Sequence, residues 1–135
     1  MKFKTLDGKE RTVKNIKTCL IKWDGKSRSK FQLSVKSFLK KYWKGDVVFE
    51  ELKIVGTRLS LDFYNANKKI AIEVQGEQHF KFVPFFHGNR NTYLKQIKRD
   101  VKKIDFCNIN DIKLVEIYPN DELNEDLFKR FDVDL

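Results

Sequence analysis

Apolar and polar positions alternate strictly in two neighbouring runs of the chain. Leu59, Leu61 and Phe63 share one side of residues 59–64, and Ile70, Ile72 and Val74 share one side of residues 69–76, which is the period of a half-buried strand. The turn Asn65-Ala66-Asn67-Lys68 joins the two runs, so the pattern predicts a β-hairpin. Antiparallel pairing keeps facing residues on the same side of a sheet. The register that buries both apolar sets therefore gathers Asp62, Glu73 and Gln75 on the other side.

Upstream, residues 1–24 read as a small β element: a strand at 3–6, an Asp7-Gly8 turn, a strand at 11–13 and an apolar-alternating run at 16–23. Ser29-Lys30-Phe31-Gln32 fits a capping box, in which the Ser hydroxyl and the Gln amide satisfy each other's free backbone donors. It opens a helix whose Phe31, Val35, Phe38, Leu39 and Tyr42 fall on one face, with Gly45 as its stop. Residues 47–52 form the strand that leads into the hairpin. Downstream, Leu94, Ile97, Val101 and Ile104 recur at helical spacing over residues 92–106 and predict the core face of a second helix. Residues 111–118 read as a fourth strand, closed by Pro119, and Leu123, Leu127, Phe128 and Phe131 mark a short last helix. Between hairpin and second helix lies an aromatic loop, residues 79–91, with Phe80, Phe82, Phe85 and Phe86. Such a loop suits a lid or a substrate-contacting flap, and equally the closing of a core edge. The predicted class is α/β with the core order α-β-β-β-α-β, preceded by a small N-terminal β element and followed by a short C-terminal helix.

At 135 residues and 41% hydrophobic content the chain suits one domain, 1–135: a basic arm at 1–28, a core at 29–118 and an acidic tail helix at 119–135. The net charge of +9 favours an anionic partner, nucleic acid before an acidic membrane. No apolar run approaches a membrane span and the first residues are too polar for a signal peptide, so the expected location is the cytoplasm. Cys19 and Cys107 stand without a CxxC or a nearby His and read as reduced thiols.

The hairpin's acids admit two readings. Solvated strand faces also carry acids, and Asp62 and Glu73 then simply point to water. Alternatively the two carboxylates share a divalent cation, with Gln75 positioning a water or a phosphate oxygen.

Taken in order, Ser29-Lys30-Phe31-Gln32, Leu61-Asp62-Phe63-Tyr64, Ile72-Glu73-Val74-Gln75-Gly76-Glu77-Gln78-His79, Asp100 with Lys103, and Phe106-Cys107 leading to Leu114-Val115-Glu116-Ile117 resemble the PD-(D/E)XK superfamily of endonucleases. Within it the chain is most similar to phage-type enzymes related to very-short-patch repair and homing endonucleases, over residues 29–118. The resemblance implies a restriction-endonuclease-like fold with a mixed sheet. It also implies metal-dependent hydrolysis of DNA phosphodiesters, with Mg2+ (Mn2+ substituting) held by Asp62, Glu73 and the carbonyl of Val74. Gln75 occupies the place usually held by Lys, and Gln32 the place where many relatives carry a metal-contacting Glu, for which Glu50 is a substitute. His79 stands where relatives carry a His, as a general base or stabiliser of the leaving oxygen. Arg28, Lys30, Lys98, Arg99, Lys102 and Lys103 are the expected contacts to double-stranded DNA. A homodimer or higher symmetric oligomer is expected, and host cytoplasm if the gene is phage-borne. Two alternatives stay open: an inactive nucleic-acid-binding module of the same fold, since the Lys and the helix Glu are both replaced, and a structure-selective, junction-resolving nuclease.

Overall fold

In the computed structural model, which describes residues 1–76 and 90–135, the chain runs through β1 (Lys2–Lys4), β2 (Glu10–Thr12), α1 (Lys30–Trp43), β3 (Val48–Lys53), β4 (Ser60–Asn65), β5 (Ile70–Val74), α2 (Arg90–Ile109), β6 (Lys113–Ile117) and α3 (Glu125–Lys129). β1 and β2 form a separate antiparallel pair. The main sheet is mixed, in the order β3-β4-β5-β6: three strands meander antiparallel, and β6 joins parallel to β5 after the crossover that contains α2.

Both faces of this sheet are covered. On one, Val35, Leu39 and Trp43 of α1, spaced four apart, bury against Phe63, Ile70, Ile72, Val115 and Ile117, and Leu127 and Phe128 of α3 complete that core. Phe31, Phe38 and Tyr42 are only half-buried, and Phe38 stacks on Phe128 at 5.7 Å between ring centroids. On the other face, Phe106 and Cys107 of α2 and Phe3 of β1 pack on Tyr64 and Ala71. Phe3 bridges Tyr64 and Phe106 at 5.7 and 5.5 Å. The side chain of Asn110 exchanges hydrogen bonds with the backbone of Lys4, tying the end of α2 to the N-terminal strand.

Three expectations are corrected. Residues 16–19 form a 3-10 turn rather than a strand, and only Leu20 bridges to Phe49 of β3. Leu61 does not share a core with Phe63; it packs with Leu52 and Ile54 on the side of α2. The change of side falls between the register pairs Glu50–Phe63 and Leu52–Leu61, where Glu51 has a left-handed φ of 57°. The third correction concerns α2. Its Leu94, Ile97, Val101 and Ile104 are exposed, and the helix instead turns Lys103, Phe106 and Cys107 toward the sheet.

Candidate active site

The ladder between β4 and β5 stops at Phe63 opposite Ile72. Beyond that pair the backbone donors are taken by carboxylates from the facing strand. Val74 N–H donates to Asp62 Oδ2 at 2.8 Å and Asp62 N–H donates to Glu73 Oε2 at 3.0 Å. Each acid thus replaces a strand–strand hydrogen bond, and the two are held rigidly side by side. Period two along β5 places Glu73 and Gln75 on the face of Ala71, under α2, as the alternation predicts. They do not face open water: Asp62, Glu73 and Gln75 are all buried.

The acids form the floor of a cleft of about 470 Å³. Gln32 from α1 and Gln96, Asp100 and Lys103 from α2 line its walls, while Arg28, Arg58 and Arg99 supply guanidinium groups. Lys103 Nζ forms an ion pair with Glu73 Oε1, so this lysine lies within the site rather than on an outer DNA-binding face. Arg28 is exposed and bound to Glu51 at 2.7 Å. Lys30, Lys98 and Lys102 are exposed but do not line the cleft. His79, and the loop around it from 77 to 89, lie outside the described residues.

Gln32 departs from its expected local role. Ser29 caps α1 by accepting from Gln32 N–H at 3.1 Å, but the Gln32 amide does not return to the Ser29 backbone. It donates instead to Glu50 Oε2 and Glu51 Oε1, at 3.0 and 3.1 Å, which ties α1 to β3 at the edge of the cleft. Glu50 itself does not line the cleft. Its Oε1 accepts from Lys36 at 2.9 Å, and Lys36 is wholly buried, donating also to the carbonyls of Gly25 and Lys26. Glu50 is therefore the counter-ion of a buried lysine, because leaving that ammonium unpaired inside the fold would be costly.

Electrostatics mark Glu73. Burial and the neighbouring charge of Asp62 push its carboxyl up to about 8, against the lowering effect of Lys103. The same environment, burial first and then the Glu73 charge, pushes the Cys107 thiol up to about 12, which keeps it protonated and unreactive. Two crowded, buried carboxyl groups meet a single lysine, and the hard oxygen donors and mutual repulsion that raise Glu73 are what a divalent cation would relieve. Among the described residues no group of three or more His, Cys, Asp or Glu side chains converges. A cation here would rest on Asp62, Glu73 and a backbone carbonyl such as that of Val74, the sparse protein ligation that suits Mg2+, which keeps several of its waters.

The chain is 39% identical over 59 residues to uncharacterized protein 307L of Invertebrate iridescent virus 6, a match covering 44% of this chain and 30% of the relative. It is 44% identical over 63 residues to uncharacterized protein 094L of Frog virus 3 (isolate Goorha), covering 46% and 41%, and 34% identical over 64 residues to uncharacterized protein 033L of Invertebrate iridescent virus 3, covering 47% and 33%. The matched stretches thus span well under half of each of these viral relatives. No family model matches the chain, and no solved structure matches it.

Arg58, Gln96 and the buried Lys36 went unread in the sequence. Arg58 sits in the β3–β4 connection, where nothing in the local pattern separates a cleft-lining arginine from a solvated one. Lys103 carried a usable signal: it stands three residues after Asp100, on the same helix face, and both line the cleft.

Proposed function

We propose that the protein is a metal-dependent endonuclease that hydrolyses DNA phosphodiester bonds on a restriction-endonuclease-like fold. The observation that carries this reading is the pairing of Asp62 and Glu73 at the parted end of a β-hairpin, on the floor of a cleft rimmed by arginines. The element order α-β-β-β-α-β supports it as well.

A divalent cation bound there would polarise a phosphoryl oxygen and lower the pKa of an attacking water. Asp62, Glu73 and the Val74 carbonyl would hold it. Asp62 Oδ2 and Glu73 Oε2 are each anchored by a backbone N–H, so the carboxylates are preorganised and little reorganisation accompanies the reaction. Lys103 supplies from α2 the positive charge that Gln75 lacks, and the Gln75 amide orients the water by hydrogen bonding. Arg28, Arg58 and Arg99 bind phosphates flanking the scissile one.

A second reading, a binding module without activity, draws on the engagement of both Glu73 oxygens by protein donors, Lys103 and Asp62 N–H. Incubation of supercoiled plasmid with purified protein separates the two. Nicked or linear product that requires Mg2+ or Mn2+ and disappears in EDTA supports the nuclease. Full cleavage in chelator sinks the two-carboxylate site, and metal-independent binding without cleavage favours the module.

A further inference from the structure

Beside the cleft lies a second groove, of about 310 Å³, between the N-terminal hairpin, the β3–β4 connection and α2, and Arg11 and Lys102 both line it. The register that sets Phe3 opposite Arg11 puts these two on one face of the β1–β2 pair. Phe3 packs on Phe106 at 5.5 Å between ring centroids, and Lys102 stands one turn before Phe106 on the same side of α2. The aromatic contact that docks the hairpin thus also brings an arginine and a lysine to one groove. Both are exposed, and among the described residues neither forms an ion pair. Asp7 lines the groove as well, where its carboxylate accepts the Thr5 hydroxyl. Two like charges gathered without a counter-ion repel, and an anion seated between them relieves the repulsion.

The groove adjoins the cleft at two points. Gly56, left-handed at a φ of 80°, turns the β3–β4 connection so that Thr57 lines the groove while Arg58 lines the cleft. On α2, Arg99 lines the cleft and Lys102, three residues on and so about 4.5 Å further along the axis, lines the groove. Lys95 and Lys98, seven and four residues before Lys102, are exposed on the same side of the helix, and the acid between them and Lys102, Asp100, lines the cleft instead. Asp105, one turn beyond Lys102, is the acid that borders this row. A row of cations leading out of the cleft matches a polyanion of regular charge spacing better than a single small anion. The seven residues from Lys95 to Lys102 rise about 10.5 Å, close to three steps of one DNA strand at about 3.4 Å each.

We propose that this groove carries the DNA backbone away from the cleft, Lys102 and Arg11 binding phosphates beyond those that Arg58 and Arg99 hold, so that the N-terminal hairpin is part of the DNA-binding surface. The identity of the polyanion rests on the nuclease reading. Contacts of this kind fix the position of the duplex and carry no sequence information.

Fluorescence anisotropy of the full chain on a labelled duplex, without metal and across a salt series, tests it. Arg11→Ala and Lys102→Ala should each lower the log–log salt slope by roughly one and weaken binding several-fold at low salt, with the wild-type melting temperature kept because both side chains are exposed. The double variant should lower the slope by roughly two, and Arg11→Lys should keep it because the charge stays. Lys41→Ala, which removes an exposed lysine on α1 across the sheet, should leave it unchanged. If Arg58→Ala and Arg99→Ala lower the slope but Arg11→Ala and Lys102→Ala do not, this proposal is overturned and the nuclease reading stands. An equal loss in Lys41→Ala overturns it as well, since diffuse charge then accounts for the binding. A wild type that binds no duplex takes the nuclease reading down together with the groove.

Discussion

Glu73 carries the clearest consequence at the scale of single residues. Its carboxyl titrates near 8 in the folded protein against an ordinary value of 4.5, so between those values the folded state holds a proton that the unfolded chain has released. Raising the pH through that window therefore lowers stability, and above about 8 the loss is complete. Thermal unfolding in chelator should show Glu73→Gln gaining on the wild type from pH 5 to pH 8 and holding a constant advantage above it. An advantage that does not grow with pH would mean Glu73 is not the buried, charge-crowded acid described here. Lys36 gives a second prediction. Lys36→Met strands Glu50 without its counter-ion and should cost about 3 to 5 kcal/mol in denaturant unfolding, much of it recovered when Glu50→Leu is added. A loss under about 1 kcal/mol, the size of an exposed pair, would contradict the burial. Glu73 and Gln75 were legible in the sequence because period two holds along β5, whereas the alternation of β4 breaks beside Asp62. Lys36 was not, since helical spacing shows that it neighbours Gln32 and Leu39 but not that a carboxylate on β3 awaits it.

Among the elements, α1 and α2 show how far periodicity reaches. In α1 the stop, the cap and two of the inner residues, Val35 and Leu39, follow from spacing, whereas Gln32 and Lys36 are buried because polar partners on β3 receive them. In α2 the apolar line was visible and its direction was not. A helix that walls a polar cleft needs Arg99, Asp100 and Lys103 inward, so its apolar line is left outside. Hydrophobic spacing identifies a helix but not which way its apolar line faces. The cap is testable directly. Ser29→Ala removes the acceptor for Gln32 N–H and should cost about 1 kcal/mol, with Ser29→Asp retaining most of the stability. Equal losses for Ala and Asp would show that the hydroxyl serves something other than the helix end.

At the scale of the whole molecule, the chain carries a net charge of +9 and its cleft sets two carboxyl groups beneath arginines, so on the nuclease reading binding and chemistry fall to different residues. No helix among the described residues is long and apolar enough to cross a membrane. If Arg58 and Arg99 hold flanking phosphates, removing either should weaken duplex binding and lower the log–log salt slope by roughly one. An unchanged slope would place the nucleic acid elsewhere on the surface. Asp62 should behave in the opposite way, because its loss removes negative charge from beneath the phosphate while leaving the arginine rim intact. The most direct measurement is therefore one gel series on Asp62→Ala and wild type, following duplex binding without metal and plasmid cleavage with Mg2+ side by side. The account predicts binding retained or slightly tighter and cleavage reduced by about a hundredfold or more. An Asp62→Ala protein that cuts at the wild-type rate would contradict it, and the paired carboxylates would then be no more than the closure of a hairpin.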